Sequence, residues 1–308
     1  MKYVYCFLCI FVFSFSFSFS NDYVVSSFDN HAIHGTLLET AESNSVLTII
    51  ISGSGPTDRD GNNISLKSDY LKILAEGLYK NGVSSYRFDK RGVGRSIGSI
   101  TRGDEVKFSD FINDVKSIIN HFRNTKKFKR VIVIGHSEGA LIGMIAGRST
   151  AEGFISIAGA GTDYLTIIQR QLSNRAPYIR SMSDSIIQQL RNGKIIDSVS
   201  PLMTGLFNPA AQKFLIDASS YNPVDEISKL DIPILIIQGT NDIQIEVKDA
   251  QMLHDASTNA RLEIIQGMNH VFRQTSENFI LNLQTYGRPE LPIDSSLVSI
   301  IVDFVNYK

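Results

Sequence analysis

Val131-Ile132-Val133-Ile134-Gly135-His136-Ser137-Glu138-Gly139-Ala140-Leu141-Ile142 joins a β-branched apolar run to a helical one through Gly-x-Ser-x-Gly. Four consecutive Val and Ile residues read as a strand covered on both faces, and the apolar run from Ala140 reads as a helix that starts at once. A serine at such a junction sits on a tight, strained turn, which the flanking glycines let the backbone close without a β-carbon clash. Its hydroxyl is expected to stand in the open. The N–H of Glu138, at the start of the helix, is left free to face a developing oxyanion. With glycine near ~7% of residues, the pentapeptide alone arises by chance in about one chain of this length in ten, so the strand before it and the helix after it carry the reading.

Outward from this junction, strand-like runs recur at 23–28, 33–39, 46–51, 83–88, 131–134, 154–158, 232–238 and 261–265. Several are apolar throughout, which suits a parallel sheet covered on both faces. Helical patterns fit at 68–81, 109–124, 138–149, 244–257 and 294–306, and alternation of strand and helix means an α/β fold. One interval breaks the rhythm. From 162 to 231 the pattern is helical, as at 183–191 and 209–219, and the stretch is too long for an ordinary crossover. It leaves from the carboxyl end of a strand, the edge where open α/β sheets bind ligands. Residues 21–161 and 232–308 are therefore read as the core and 162–231 as a helical cap. Tyr164, Tyr178, Met203 and Phe207 are expected in the interior of that cap.

With 308 residues, 43% of them apolar, the chain can bury a large core. A formal net charge of −1 gives no global field to attract nucleic acid. The amino end has Lys2, an apolar stretch from Tyr3, and small residues Ser18 and Ser20 before Asn21. This reads as a signal peptide, residues 1–20, cut after Ser20, and the mature chain is expected in the periplasm or outside the cell. Its rival is an uncleaved anchor, through which alone the chain would meet a membrane. Both cysteines, Cys6 and Cys9, lie in this segment. The mature chain then has no disulfide, thiol nucleophile or cysteine-ligated metal. No pair of histidines stands at metal-binding helical spacing, and neither a phosphate-cradling Gly-x-x-x-x-Gly-Lys nor Gly-x-Gly-x-x-Gly occurs. No cofactor or metal is expected.

A serine hydroxyl is a poor nucleophile unless a base takes its proton, so Ser137 needs a histidine and an acid to orient it. In the elbow fold the chain order is Ser, acid, His. His31, His34 and His121 precede the serine, and His136 lies inside the elbow, where it packs beside the turn. His254 falls in a helical pattern. His270 follows the run 261–265 by a short loop and is the candidate base. The acid should follow the preceding strand, and Asp242, just past Gly239, fits; Glu246 is the fallback. The second oxyanion donor should follow the run 46–51, in Ser52-Gly53-Ser54-Gly55-Pro56, with Ser54 N–H preferred and Gly55 N–H as the alternative.

Over nearly its whole mature length the chain resembles the α/β-hydrolase superfamily. Beyond the elbow, Asp89-Lys90-Arg91-Gly92-Val93-Gly94-Arg95-Ser96 is similar to the family's Asp-x-Arg-Gly-x-Gly-x-Ser turn, and Gln238-Gly239-Thr240-Asn241-Asp242 to its acid loop. The stretch 53–61 looks like the oxyanion loop of secreted bacterial esterase-like and serine-aminopeptidase-like hydrolases. Ser52 departs from the histidine that many relatives carry. The resemblance implies a mostly parallel eight-stranded sheet with helices on both faces, a cap after the sixth strand, and hydrolysis through an acyl-enzyme. It also implies that Asp89 and Arg91 are structural. Expected is an ester hydrolase for small or medium acyl groups, with Ser137, Asp242 and His270 as triad and Ser54 and Glu138 as oxyanion donors. The partner is then a small-molecule ester or, for a serine aminopeptidase, a short peptide whose amino terminus Asp163 or Asp184 could hold. A binding protein that keeps the fold without turnover is the reading from another class.

Overall fold

The computed structural model describes residues 22–40, 46–98 and 106–307. The expected signal peptide lies outside them. Eight strands form one sheet: β1 (Asp22–Ser26), β2 (Ala32–Leu38), β3 (Val46–Ile51), β4 (Ser84–Phe88), β5 (Arg130–His136), β6 (Gly153–Ile157), β7 (Ile234–Gly239) and β8 (Ala260–Ile265). Their order is β1-β2-β4-β3-β5-β6-β7-β8, antiparallel at β1/β2 and β2/β4 and parallel elsewhere. The helices are α1 (Tyr70–Lys80), α2 (Phe108–Asn124), α3 (Glu138–Gly147), α4 (Tyr164–Leu172), α5 (Pro177–Arg191), α6 (Thr204–Phe207), α7 (Pro209–Ser219), α8 (Pro223–Ile227), α9 (Val247–Asp255), α10 (Phe279–Gln284) and α11 (Ser295–Asn306). This is the sheet that the resemblance implies.

The central strands are apolar throughout because successive residues enter different cores. Ile49 and Ile51 of β3 join one and Ile50 the other; Val131 and Val133 against Ile132 and Ile134 repeat the split in β5, as do Ile234 and Ile236 against Leu235 and Ile237 in β7. Residues of α2, α3 and α9 complete the first core, and those of α1 and α11 the second. These strand side chains are at most 1% exposed. Burying one contributes about 1.5–3 kcal/mol, so the parallel centre is the rigid part on which the carboxyl-edge loops ride.

Helices α4 to α8 lie between β6 and β7; α4 to α7 have a core of their own, in which Leu165, Ile187, Leu190, Met203 and Phe207 are buried, while Ile227 of α8 joins the first core of the sheet. Tyr178 departs from expectation and is exposed, because it stands one residue off the inward stripe of Ile179, Ser183, Ile186, Ile187 and Leu190. Tyr164 departs too. Its ring meets Phe214 edge-on, but its hydroxyl leaves the core of these helices for Glu138 at the carboxyl edge of the sheet.

The charged motif residues tie loops together. Arg59 bridges Asp22 at 2.9 Å and Asp89 at 2.8 Å, Arg87 holds Asp60 at 2.7 Å, and Arg91 holds Asp29 and Asp114, each at 2.6 Å. Gly94, with φ +51, faces Asp89 where a β-carbon would lie 2.5 Å from its carboxylate, which explains the glycine in this turn.

Candidate active site

The elbow is built as its sequence requires. Ser137 adopts φ 54, ψ −119, outside the regions that side chains favour. A β-carbon on Gly135 would stand 2.3 Å from the carbonyl oxygen of Gly139, and one on Gly139 2.5 Å from that of Ile51. Ser137 N–H donates to the Ile157 carbonyl at 3.0 Å, which pins the turn between β3 and β6. Glu138 opens α3, so its N–H has no partner within the helix and lies at the positive end of the helix dipole.

His270 reaches the same edge from the loop after β8. Its Nδ1 lies 2.8 Å from Asp242 Oδ2, with both side chains buried. Asp242 comes from the turn after β7, where its Oδ1 also accepts from the N–H groups of Gln244 and Ile245 and its Oδ2 from Gln238 Nε2. The carboxylate therefore caps its own turn and grips the imidazole. Because Asp242 accepts, Nδ1 carries the hydrogen, and Nε2 keeps its lone pair. Glu246 instead caps α9 and reaches toward Arg170, and His254 is a surface residue paired with Asp255.

The loop after β3 supplies the third side. Gly53 packs against the elbow, where a β-carbon on it would sit 3.3 Å from Ser137 Cβ. Ser52, the departure from the family pattern, is buried and donates through its hydroxyl to the Thr57 carbonyl at 3.1 Å, closing the loop on itself. Among the described residues no acceptor takes the Ser54 N–H. Lys90 Nζ donates to the Gly53 carbonyl and to Glu138 Oε1, both at 2.6 Å. Tyr164 reaches from the start of α4 to Glu138 Oε2 at 2.7 Å and Ser54 Oγ at 2.9 Å. Burial, with the Glu138 carboxylate beside it, holds this phenol well above its ordinary range, so it remains a donor.

His136 packs beside the turn as its place in the elbow predicts, while two further residues, Asn282 and Lys90, escaped the sequence reading. His136 is buried under the elbow, its Nε2 3.0 Å from the carbonyl oxygen of His270 and its Nδ1 3.0 Å from the Tyr70 hydroxyl. The carbonyl can only accept, so Nε2 carries the hydrogen and Nδ1 accepts from the tyrosine. Burial, reinforced by His270 alongside, pulls its pKa well below the ordinary value and keeps it neutral. Asn282 of α10 donates to the Asn241 carbonyl at 2.6 Å and accepts from Asn269 Nδ2 at 3.0 Å. It thus clips together the residues immediately before Asp242 and His270. Lys90 was read only as part of a structural turn, and its contacts with residues 37 and 48 positions away leave no periodic trace.

Ser54, Ser137, Glu138 and His270 line one cavity of about 730 Å³. Its other walls are mainly apolar, with Phe111 and Leu141 from α2 and α3 and Ile167, Leu206 and Phe214 from the helices between β6 and β7. The volume suits a small organic molecule. A serine on a strained turn, a histidine bonded to a buried carboxylate, and N–H groups at Ser54 and Glu138 without backbone acceptors, all on one cavity, are residue types that acyl transfer can use.

A family model described as serine aminopeptidase, S33, matches residues 67–274. The chain is similar to esterase EstD of Thermotoga maritima, 28% identical over 235 residues, which cover 72% of this chain and 53% of that protein. It thus spans about half the length of that relative. It is also similar to a monoglyceride lipase homologue of Monkeypox virus, 25% identical over 228 residues, covering 66% of this chain and 78% of the relative. Among solved structures, Est1E from Butyrivibrio proteoclasticus matches with a TM-score of 0.62 at 15% identity, covering 94% of this chain and 100% of that one. An esterase of Pyrococcus furiosus matches with a TM-score of 0.61 at 17% identity, covering 93% and 89%. At such identities the structural likeness speaks for the fold alone.

Proposed function

Because the chain belongs to the serine aminopeptidase S33 family of α/β-hydrolases, we propose that it hydrolyses carboxylic esters of small to medium acyl groups through an acyl-enzyme. Ser137 Oγ attacks the ester carbonyl carbon while His270 Nε2 takes its proton, and Asp242 holds the imidazole and steadies its positive charge. The carbonyl oxygen, now an oxyanion, accepts hydrogen bonds from the N–H groups of Ser54 and Glu138. Collapse expels the alcohol, protonated by His270. Water then repeats the attack, the acid leaves, and Ser137 recovers its proton.

The observation that carries ester over aminopeptide is the charge of the cavity. An amino terminus needs an available carboxylate, yet among the described residues lining the cavity Glu138 is the one acidic side chain, and Lys90 and Tyr164 already occupy it. Asp163 caps α4 and pairs with Arg191, while Asp184 accepts from Gln169; neither lines the cavity. The esterase and monoglyceride lipase names of the similar proteins support the same reading.

The test is hydrolysis of p-nitrophenyl esters from acetate to palmitate beside an aminoacyl p-nitroanilide, with Ser137→Ala as control. Ester turnover that vanishes in the variant and peaks at short or medium chains is expected. Anilide turnover without ester turnover would sink the proposal. Export is part of it: intact mass of the protein made with its leader should correspond to a chain starting at Asn21, and retention of residues 1–20 would refute cleavage.

A further inference from the structure

Lys90 is 2% exposed, and its ammonium sits between the Gly53 carbonyl and the Glu138 carboxylate, with the Phe111 ring 5.1 Å away. Burying such a pair is costly, and packed apolar residues would serve stability at least as well. What the pair does hold is orientation. No cis peptide occurs among the described residues, so the carbonyl of Gly53 and the N–H of Ser54 are antiparallel in one plane. Fixing the oxygen fixes the direction of the N–H. Left alone, that peptide has a glycine at one end and another glycine just beyond Ser54, so it could rotate at little cost. The second end of the clamp is Glu138, whose own N–H is the other oxyanion donor.

Tyr164 closes the circuit. Its hydroxyl has one hydrogen and two neighbours; a carboxylate can only accept, so the hydrogen goes to Glu138 and Ser54 Oγ–H donates to the tyrosine oxygen. The ring then runs Lys90, Gly53, Ser54, Tyr164, Glu138 and back to Lys90, with the cap contributing one link.

We propose that Lys90 is a positioning residue for the oxyanion hole, aligning the Ser54 and Glu138 N–H groups through one buried ammonium, and that Tyr164 ties this alignment to the seated cap. The proposal rests on the serine hydrolase reading and on Ser54 and Glu138 as donors. Lys90→Met alone would strand the Glu138 charge, so the working variant is Lys90→Met with Glu138→Gln. Tyr164→Phe, which leaves the ion pair whole, is the second.

The readout is the rate at which a fluorophosphonate labels Ser137 in the full-length protein, together with kcat and KM on the best ester. Removal of one oxyanion donor costs about 10²–10³ in kcat in other serine hydrolases, and misalignment should cost less. Labelling and kcat are expected to fall about 10–100-fold in the double variant and several-fold in Tyr164→Phe, with KM within about twofold and the melting temperature of Tyr164→Phe close to that of the parent. Wild-type labelling rates in either folded variant overturn the proposal, as does a loss confined to KM. If the parent labels at Ser137 but turns over no ester, the proposed substrate class fails while the labelling comparison still judges Lys90. If the parent does not label at all, both readings fall.

Discussion

At the scale of single residues, Ser137 is held where only glycine is at ease. A non-glycine residue in such a conformation costs about 1–3 kcal/mol, whereas glycine itself loses about 0.5–1 kcal/mol more than other residues through chain entropy. Ser137→Gly should therefore abolish turnover and raise the free energy of unfolding by about 1 kcal/mol, read by denaturant titration. A variant less stable than the parent would show that the turn is not strained. The same pentapeptide made this residue legible, since two glycines pressed against backbone atoms and a strand-to-helix junction are both visible in sequence. His270 and Asp242 were legible through chain order and through their places just after strands. The contacts of Lys90, Tyr164 and His136 were not. Their partners lie 26 to 134 positions away, and nothing in the local pattern distinguishes a lysine that grips a buried carbonyl from one on a solvated turn.

Among the elements, α10 shows how little a short helix announces itself. Phe279-Ile280-Leu281-Asn282-Leu283-Gln284 has no apolar period, and its buried residue is the asparagine while Phe279, Ile280, Leu281 and Leu283 are exposed. The helix is held by polar contacts, with Thr285 just past its end accepting from Asn269 at 2.7 Å. Asn282→Ala leaves the Asn241 carbonyl and one Asn269 amide hydrogen without their partners. Each unmet buried group costs about 1–3 kcal/mol, so a loss of about 2 kcal/mol in stability is expected, with kcat lowered more than KM is changed because the loops bearing Asp242 and His270 lose their shared clip. Unaltered kcat at reduced stability would make the clip purely structural. The strands behaved differently. All eight were legible, with ends shifted by at most two residues; in β3, β5 and β7 this is because a continuous apolar, β-branched run buried on two faces has few other ways to fold. Residues 162–231 were legible as helical, but α6 and α8 were not singled out, since helices of 4 and 5 residues fall below the length at which periodicity is decisive.

For the whole molecule, neutral His136 couples stability to pH. Its folded pKa lies well below the ordinary value, whereas the unfolded chain takes up the proton near about 6.5. The unfolded state then binds more protons as pH falls, so this contribution is complete above that value and is lost progressively below it until the folded imidazole protonates. Stability should decline between about pH 7 and about pH 5, and the slope should flatten in His136→Asn. Equal slopes in the two proteins would exclude His136 as the cause. Another whole-molecule consequence follows from where the cap departs and returns. Strands β6 and β7 are paired neighbours, Phe154 to Ile157 against Ile234 to Ile237, and residues 162–231 bulge out between them. Closing a loop costs only about 0.6 kcal/mol more for each doubling of its length, so the sheet is nearly indifferent to how much chain is inserted there. The cavity wall that these helices supply could be rebuilt by insertion or deletion while the strand registers stay in place. Tyr164 sets the boundary of that freedom, as the residue of the insertion whose replacement would also loosen the loop after β3 and the start of α3.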